Sequence, residues 1–472
     1  MELEIKMELD FVIPVMTREP AVSWLPFYCK LGDELKRRGY SVGFITVTRF
    51  GDRGLAASGH LFFNLFDMIR ELRDQGAISC SEAEAARLEE TYHLGGMRNF
   101  YHCEKVYHYK KDAQLRREMI ECLRVAEEFT RRHRVKCFLL FNGGELIRRS
   151  LYVVARSQNI PTIWASRSPM PGRMALSSTE LDLFDTLEVK PYEILEPEAI
   201  RQAEQYIKDF RSRKQMSIRK AYRLRLWVSP FSAINLLKGV YRRYTVNEGR
   251  EPLPLFAQDY LLLRRKLKKL FYPLLMRRPQ EGEKFVFFPL HLVREAQLAV
   301  RAPHCYQQEY IVELVSRFLP AGYKLYVKEH PNHLGELPWG ALRRIARLDN
   351  VCLLDSEVNS HHLIEKCAAV VTINSTAGYE AILYQKPVVV LGKPFYSGLG
   401  LTLDARDFFD LPQAIQQALQ MKELDYKKVV AFVHAVLEQS YPGIPGDAAD
   451  QNVALFCDSV LAFAVKRGRI RT

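Results

Sequence analysis

Residues able to do chemistry concentrate late in the chain, between positions 328 and 402. The stretch is led in by Y-V-K-E-H-P-N (326–332) and continues through V-V-T-I-N-S-T-A-G-Y-E-A-I-L-Y-Q-K-P-V-V-V-L-G (370–392) to F-Y-S-G-L-G-L-T. An apolar run, a polar turn and a short helical pattern predict a buried strand feeding a helix N-terminus. Unpaired backbone N–H groups at such a terminus suit an anion. Ser375 and Thr376 add hydroxyls there, and Ala377 and Gly378 are small enough for close approach. The chemistry expected of this stretch is binding of the phosphate and sugar of a nucleotide.

Other polar residues fall on the same predicted edge. His291, Lys328, Glu329, His330, Asp355, Asn374, Ser375 and Thr376 sit at or just past the ends of expected parallel strands, where open α/β sheets bind ligands. Glu380 lies one turn into the helix, and its carboxylate could accept two hydrogen bonds from ribose hydroxyls. Pro331 fixes the backbone after His330, holding an imidazole that could stack on a base or donate to a phosphate oxygen. Gly398 and Gly400 follow the next apolar run and would line the same pocket. No P-loop, G-x-S-x-G elbow, H-E-x-x-H pair or kinase signature occurs. His361-His362 reads as a helix start, and His93, His102 and His108 lack metal-ligand spacing.

The elements that must position these residues follow an α/β rhythm. Residues 9–15, 24–38 and 40–47 predict strand, helix and strand; 135–141, 146–158 and 162–165 repeat the pattern. Residues 61–132 read as mostly helical, and 166–172 as a turn-rich loop. Strands are expected at 285–290, 324–327, 351–354, 370–373 and 387–391, with helices after Pro412. The division expected is a Rossmann-like domain over 1–192, a basic helical linker over 193–280, a second Rossmann-like domain over 281–440, and a C-terminal helix over 441–472 crossing back.

Composition bounds the alternatives. A chain of 472 residues, 48% hydrophobic and 11% aromatic, fills two cores rather than one. The formal net charge of +13 calls for an anionic partner, but no nucleic-acid-binding signature accompanies it. Nine scattered cysteines without a C-x-x-C pair read as reduced thiols. The N-terminus is not a signal peptide, and no apolar run is long enough to span a bilayer. The run L-L-L-R-R-K-L-K-K-L-F-Y-P-L-L-M-R-R-P (261–279) is basic and amphipathic. It is either a solvated interdomain helix or a segment that lies on an anionic membrane surface. The chain is expected to be cytoplasmic, with peripheral attachment to the inner face of the cytoplasmic membrane as the further possibility.

K-E-H-P, N-S-T-A-G-Y-E-A-I-L-Y-Q-K-P-V-V-V-L-G and Y-S-G-L-G-L-T together resemble the bacterial capsular polysaccharide biosynthesis family, which is related to Kdo transferases. The stretch from Phe287 through Gln307 and Gln308 to Leu319 resembles the same family, and F-N-G-G-E with N-I-P-T-I-W more loosely. The resemblance implies a GT-B fold, two Rossmann-like domains facing a cleft. It also implies a nucleotide-sugar held as co-substrate by the second domain, no other cofactor, and metal-independent inverting transfer. By that analogy His330 and Pro331 contact the nucleotide, and Ser375 and Thr376 the donor phosphate. The partners implied are a nucleotide-sugar, such as a CMP-type donor of Kdo, and a lipid-linked or glycan acceptor. Where family members often carry acidic residues after the strand at 162–165, this chain has Ser166-Arg167-Ser168 and Ser177-Ser178. The base that takes the acceptor proton is therefore sought in first-domain loops, at Glu145, Glu19 or Asp52. The alternatives are a nucleotide-sugar epimerase or glycerophosphotransferase on the same fold, or a non-catalytic assembly subunit.

Overall fold

The computed structural model describes residues 7–16, 24–103, 111–141, 143–213, 271–292, 295–330 and 337–466. These divide into two units. One holds the described residues up to Asp185 and those from Ser440 onward; the other holds the described residues between Thr186 and Gln439.

The first unit is built on seven strands: β1 (Met7–Val15), β2 (Val42–Thr46), β3 (Leu61–Asn64), β4 (His133–Phe141), β5 (Thr162–Arg167), β6 (Arg173–Ser177) and β13 (Tyr441–Pro442). Their order is β13-β6-β5-β4-β1-β2-β3. Strands β3 to β5 are joined in parallel through β2, β1 and β4, and β6 and β13 close the far edge antiparallel. Side chains alternate across the sheet as the strand period requires. Phe11, Ile13, Val15, Cys137, Leu139 and Phe141 enter one core, while Val12, Phe138 and Leu140 enter the other. Both faces are covered, as parallel sheets require.

The helix Leu25–Arg37 covers the first face. It opens with a proline in its first turn, and Lys36 and Arg37 lie in its last turn, where cations suit the helix dipole. The C-terminal helix Asp450–Lys466 belongs to the same core through Phe456, Cys457, Val460 and Phe463. The Phe456 ring meets Phe27 edge-on at 5.1 Å and stacks on Phe141 at 5.9 Å.

Two readings of the sequence are refined here. Residues 61–132 are mostly helical, as read, but open with the strand β3, whose four residues L-F-F-N are too few to display a period. Residues 166–172 are not simply a loop, because β5 continues to Arg167 and β6 returns antiparallel against it.

The second unit carries six strands: β7 (Lys284–Pro289), β8 (Tyr323–Lys328), β9 (Val351–Leu354), β10 (Ala369–Thr372), β11 (Val388–Val390) and β12 (Leu403–Asp404). All pairings are parallel, in the order β12-β11-β10-β7-β8-β9. The first strand thus sits centrally, with the second and third to one side and the fourth to sixth on the other. This is the doubly wound Rossmann order, which reverses between β7 and β10. The first unit shows the same reversal between β1 and β4. Two such units in one chain make up the GT-B class of fold.

Of residues 193–280, the described helix Pro197–Arg213 packs on the second unit. Tyr206 meets Tyr379, hydroxyl to hydroxyl, at 3.3 Å, and Arg211 donates to the Leu383 carbonyl at 2.6 Å. Positions 214–270 lie outside the described residues.

Phe456→Ala should destabilise the first unit by ~3–5 kcal/mol, the usual cost of deleting a large buried aromatic. Urea denaturation followed by intrinsic fluorescence would detect it as a lower midpoint for the transition of that unit.

Candidate functional site

The site is built at the point where the second sheet reverses. β7 ends at Pro289 and β10 at Thr372. The chains leaving them diverge, which opens a crevice at their carboxyl ends. The two strand ends are tied together. The buried His291 ring accepts a hydrogen bond at Nε2 from the Asn374 backbone N–H, 3.0 Å away. Accepting at Nε2 requires the neutral imidazole with its proton on Nδ1. Burial, together with the nearby His330, pushes the His291 pKa down to about 4, so the ring stays neutral at physiological pH.

Gln308, the first residue of the helix Gln308–Phe318, clamps His291 from behind. Its Oε1 accepts from the His291 N–H at 2.6 Å and its Nε2 donates to the His291 carbonyl at 3.2 Å. Asn374 is anchored in turn, donating through Nδ2 to the Gln297 carbonyl at 2.8 Å.

After Asn374 the chain enters the helix Thr376–Leu383. Ser375 is its N-cap, accepting from the Ala377 N–H at 3.2 Å, and its own N–H donates to Thr372 Oγ1 at 3.2 Å. Thr376, by contrast, is exposed at the first helical position. Gly378 has a different role from the one expected. A Cβ there would lie 2.2 Å from the Tyr396 hydroxyl oxygen. The space is taken by that ring, whose hydroxyl donates to the Ser375 carbonyl at 2.6 Å. Gly378 is small so that Tyr396 can brace the turn.

Charge enters through Lys328, the last residue of β8. It is buried and donates through Nζ to Ser360 Oγ at 2.7 Å. Burial pulls its pKa down to about 8, against the pull of Glu380 and Asp355, whose carboxylates favour the cation. Glu380 keeps part of its surface open, yet its carboxyl is desolvated and its pKa rises to about 7, with Lys328 acting the other way. Tyr379, Tyr384 and Tyr396 all feel the Glu380 charge, as does Tyr206 from the helix Pro197–Arg213.

The remaining expected site residues are placed as follows. Glu329 is buried and His330 exposed, both directly after β8. Pro331 lies outside the described residues, as does Glu19. Gly398 and Gly400 adopt left-handed backbone, with φ of +73° and +70° and no atom within 4 Å of an added Cβ. They serve the turn itself, which Asp404 pins by accepting from the Gly398 N–H at 2.8 Å and from the Thr402 hydroxyl at 2.6 Å. His361 is a buried helix-start residue whose Nδ1 lies 3.2 Å from the Tyr384 hydroxyl.

In the first unit, Glu145 is buried at the start of the helix Leu146–Ser157 and pairs with Arg148 at 2.9 Å. Gly143 makes room for that pair, since a Cβ there would meet Glu145 Oε2 at 2.2 Å. Asp52 is also buried. It takes the Thr46 hydroxyl, Asn64 Nδ2 at 2.9 Å and Arg49 at 3.1 Å.

The second unit is Rossmann-ordered, with a buried lysine at the end of β8 and a helix N-terminus after β10. Residues 266–433, within this unit, match the family model described as capsule polysaccharide biosynthesis protein. The capsule polysaccharide modification protein LipA of Neisseria meningitidis serogroup B is 34% identical over 80 residues, 17% of this chain and 11% of that protein. The lipopolysaccharide-processing protein LpsZ of Rhizobium meliloti is 30% identical over 133 residues, 28% of this chain and 29% of that one. The capsule polysaccharide export protein KpsS of Escherichia coli is 29% identical over 127 residues, 25% of this chain and 33% of that protein. The matches thus span between about a tenth and a third of these relatives' lengths. Among solved structures, a Thermosulfurimonas dismutans KpsC beta Kdo 2,4 transferase aligns at 16% identity and TM-score 0.38, covering 68% of this chain and 87% of that one.

An anionic ligand at this site needs Lys328 protonated. Its pKa of about 8 means that affinity for a nucleotide should hold below pH 8 and fall above it, approaching tenfold per pH unit as one proton must be taken up on binding. Lys328→Arg should flatten that dependence, because the guanidinium stays charged. Calorimetric titrations from pH 6.5 to 9.5 would measure both.

Proposed function

We propose that the chain is a glycosyltransferase of bacterial capsule or surface-polysaccharide assembly, whose second unit holds a nucleotide-sugar donor. The reading rests chiefly on one observation. The His291–Asn374 hydrogen bond ties the two strand ends at the switch point and leads into the Thr376 helix start, while the Lys328 cation at the end of β8 is coupled to Glu380 of the same helix. The capsule biosynthesis domain over residues 266–433 supports the same reading, as do the capsule-modification and export names of the relatives.

In the proposed reaction Lys328 and the N-terminal N–H groups of the helix Thr376–Leu383 neutralise the phosphate that leaves with the nucleotide. No metal or other cofactor is assigned to the step. Glu380 accepts from the ribose hydroxyls, and His330 meets the base or a phosphate oxygen. The sugar is an acidic one such as Kdo, carried by a CMP-type donor. A lipid-linked or glycan acceptor is met at the inner face of the cytoplasmic membrane. Attachment there is proposed as peripheral; among the described residues no helix is long and apolar enough to cross a membrane. Attack by the acceptor hydroxyl inverts the sugar carbon, with a carboxylate taking the proton.

That last step supports a second reading. Glu145 and Asp52 are both buried and engaged with arginines, which leaves Glu19 as the remaining first-unit candidate. A chain that binds donor without transferring it would be a non-catalytic assembly subunit.

A binding screen of CMP, UDP, GDP and CDP should give one preferred nucleotide, with affinity lowered at least tenfold by His330→Ala. Unchanged affinity would remove the donor-site assignment. Incubation with the matching nucleotide-sugar and an acceptor panel should release nucleotide only when acceptor is present. Release without acceptor, with a rearranged sugar, would point to an epimerase. Binding with no turnover on any acceptor would leave the assembly-subunit reading standing.

A further inference from the structure

The outer edge of the second sheet carries a surface that the donor site does not use. Within residues 271–278, Arg277 joins β9, its N–H donating to the Leu353 carbonyl at 2.8 Å. Two side chains of this stretch stand out into solvent: Leu274 is 78% exposed and Phe271 53%. Beside them lies the helix Trp339–Ala346, whose Trp339 ring stacks on Tyr272 at 6.4 Å and meets Phe271 edge-on at 6.3 Å. That helix buries Ala341, Leu342 and Ile345. Its outward side carries Arg343 and Arg344, and Arg347 follows its last turn, all exposed. Arg277 is exposed at the same edge. Of these four cations only Arg344 has a carboxylate near it among the described residues, Glu309 at 3.8 Å.

Protruding apolar side chains on one segment, with exposed arginines on that segment and on the helix packed against it, match one kind of surface. Apolar groups seek the acyl boundary of a bilayer, while guanidinium groups are drawn to anionic headgroups. A nucleic acid would use the arginines but would gain nothing from an exposed leucine. The edge position matters too. β9 is the outermost strand on its side of the sheet, so the stretch 271–278 and the helix beside it lie where a flat partner could approach.

We infer that Phe271, Leu274, Arg277, Arg343, Arg344 and Arg347 form a docking surface for an anionic lipid bilayer. The surface is distinct from the donor site. It assigns residues to the membrane attachment proposed above, and it would hold whether or not the protein turns over a sugar. It would bring the chain to the leaflet at which lipid-linked acceptors reside.

The test is co-sedimentation of the full chain with vesicles of phosphatidylcholine alone and with one-third phosphatidylglycerol. The expected result is partition at least tenfold greater onto the anionic vesicles, weakened by raising salt to about 0.5 M. Two variants separate the terms: Phe271→Ser with Leu274→Ser, and Arg343→Glu with Arg344→Glu. These side chains are solvent-exposed, and thermal melts would verify that each variant stays folded. Each should lose at least tenfold in anionic partition while keeping the nucleotide affinity of the parent. Equal partition of parent and both variants would overturn the proposal, as would no preference for the anionic vesicles. Parallel binding to duplex DNA, lost in the arginine variant but untouched in the serine variant, would overturn it in favour of a nucleic-acid surface.

Discussion

The hydrogen bond from the Asn374 N–H to His291 Nε2 is the constraint on which the second unit's site depends. A doubly wound sheet opens a crevice where its strand order reverses, but the opening alone leaves two chain ends free to spread. One bond between a neutral, buried imidazole and a backbone donor fixes their separation. That bond is only as good as the histidine's tautomer, and burial supports it by keeping the ring uncharged. Gln308 then fixes the histidine by its main chain, and Tyr396 fixes the turn from the other side. The Thr376 helix start is therefore held by neutral hydrogen bonds, which impose geometry without competing for the charge of an incoming anion.

Charge is kept apart from this scaffold and concentrated at Lys328. A buried lysine near a half-open glutamate forms a poised pair: burial works against both charges, and each group restores the other. With a pKa of about 8 for one and about 7 for the other, the pair can meet an anion by keeping the lysine proton or by neutralising the glutamate. Four tyrosines lie near enough to Glu380 to feel its charge, and burial of the pair strengthens any charge contact formed there. One of them, Tyr206, comes from the helix Pro197–Arg213, and its hydroxyl meets that of Tyr379. That helix, read from its charge as part of a linker, contributes to the dielectric environment of the site.

Much of this was legible because strand ends are written plainly. Apolar runs such as V-F-F-P and V-V-T-I are short, bounded and β-branched or aromatic. The polar residue after each one lands on the ligand-binding edge by topology alone. The positions of His291, Lys328 and Asn374 follow from that rule. What the chain did not disclose were contacts between residues far apart in sequence. Gly378 looked like room for phosphate because a glycine at a helix start commonly is. Its true neighbour, Tyr396, is eighteen positions away and visible only in three dimensions. Gly143 is the same case in the first unit, where the missing side chain admits the Glu145–Arg148 pair. β3 escaped because four residues cannot show a period, and β6 because an antiparallel return has no signature beyond the turn before it.

The two units use their carboxylates in opposite ways, and this bears on the missing base. Glu380 is raised toward neutrality because its single cationic neighbour does not offset its burial. Glu145 and Asp52 are buried with guanidinium groups and hydroxyls directly upon them. Those partners occupy the carboxylate oxygens, and the contacts hold in place the turns that follow β2 and β4. A general base needs a carboxylate oxygen open to the hydroxyl that it deprotonates. Burial beneath guanidinium and hydroxyl contacts sets both side chains to a structural task instead, whereas Glu380 keeps part of its surface open beside one buried lysine.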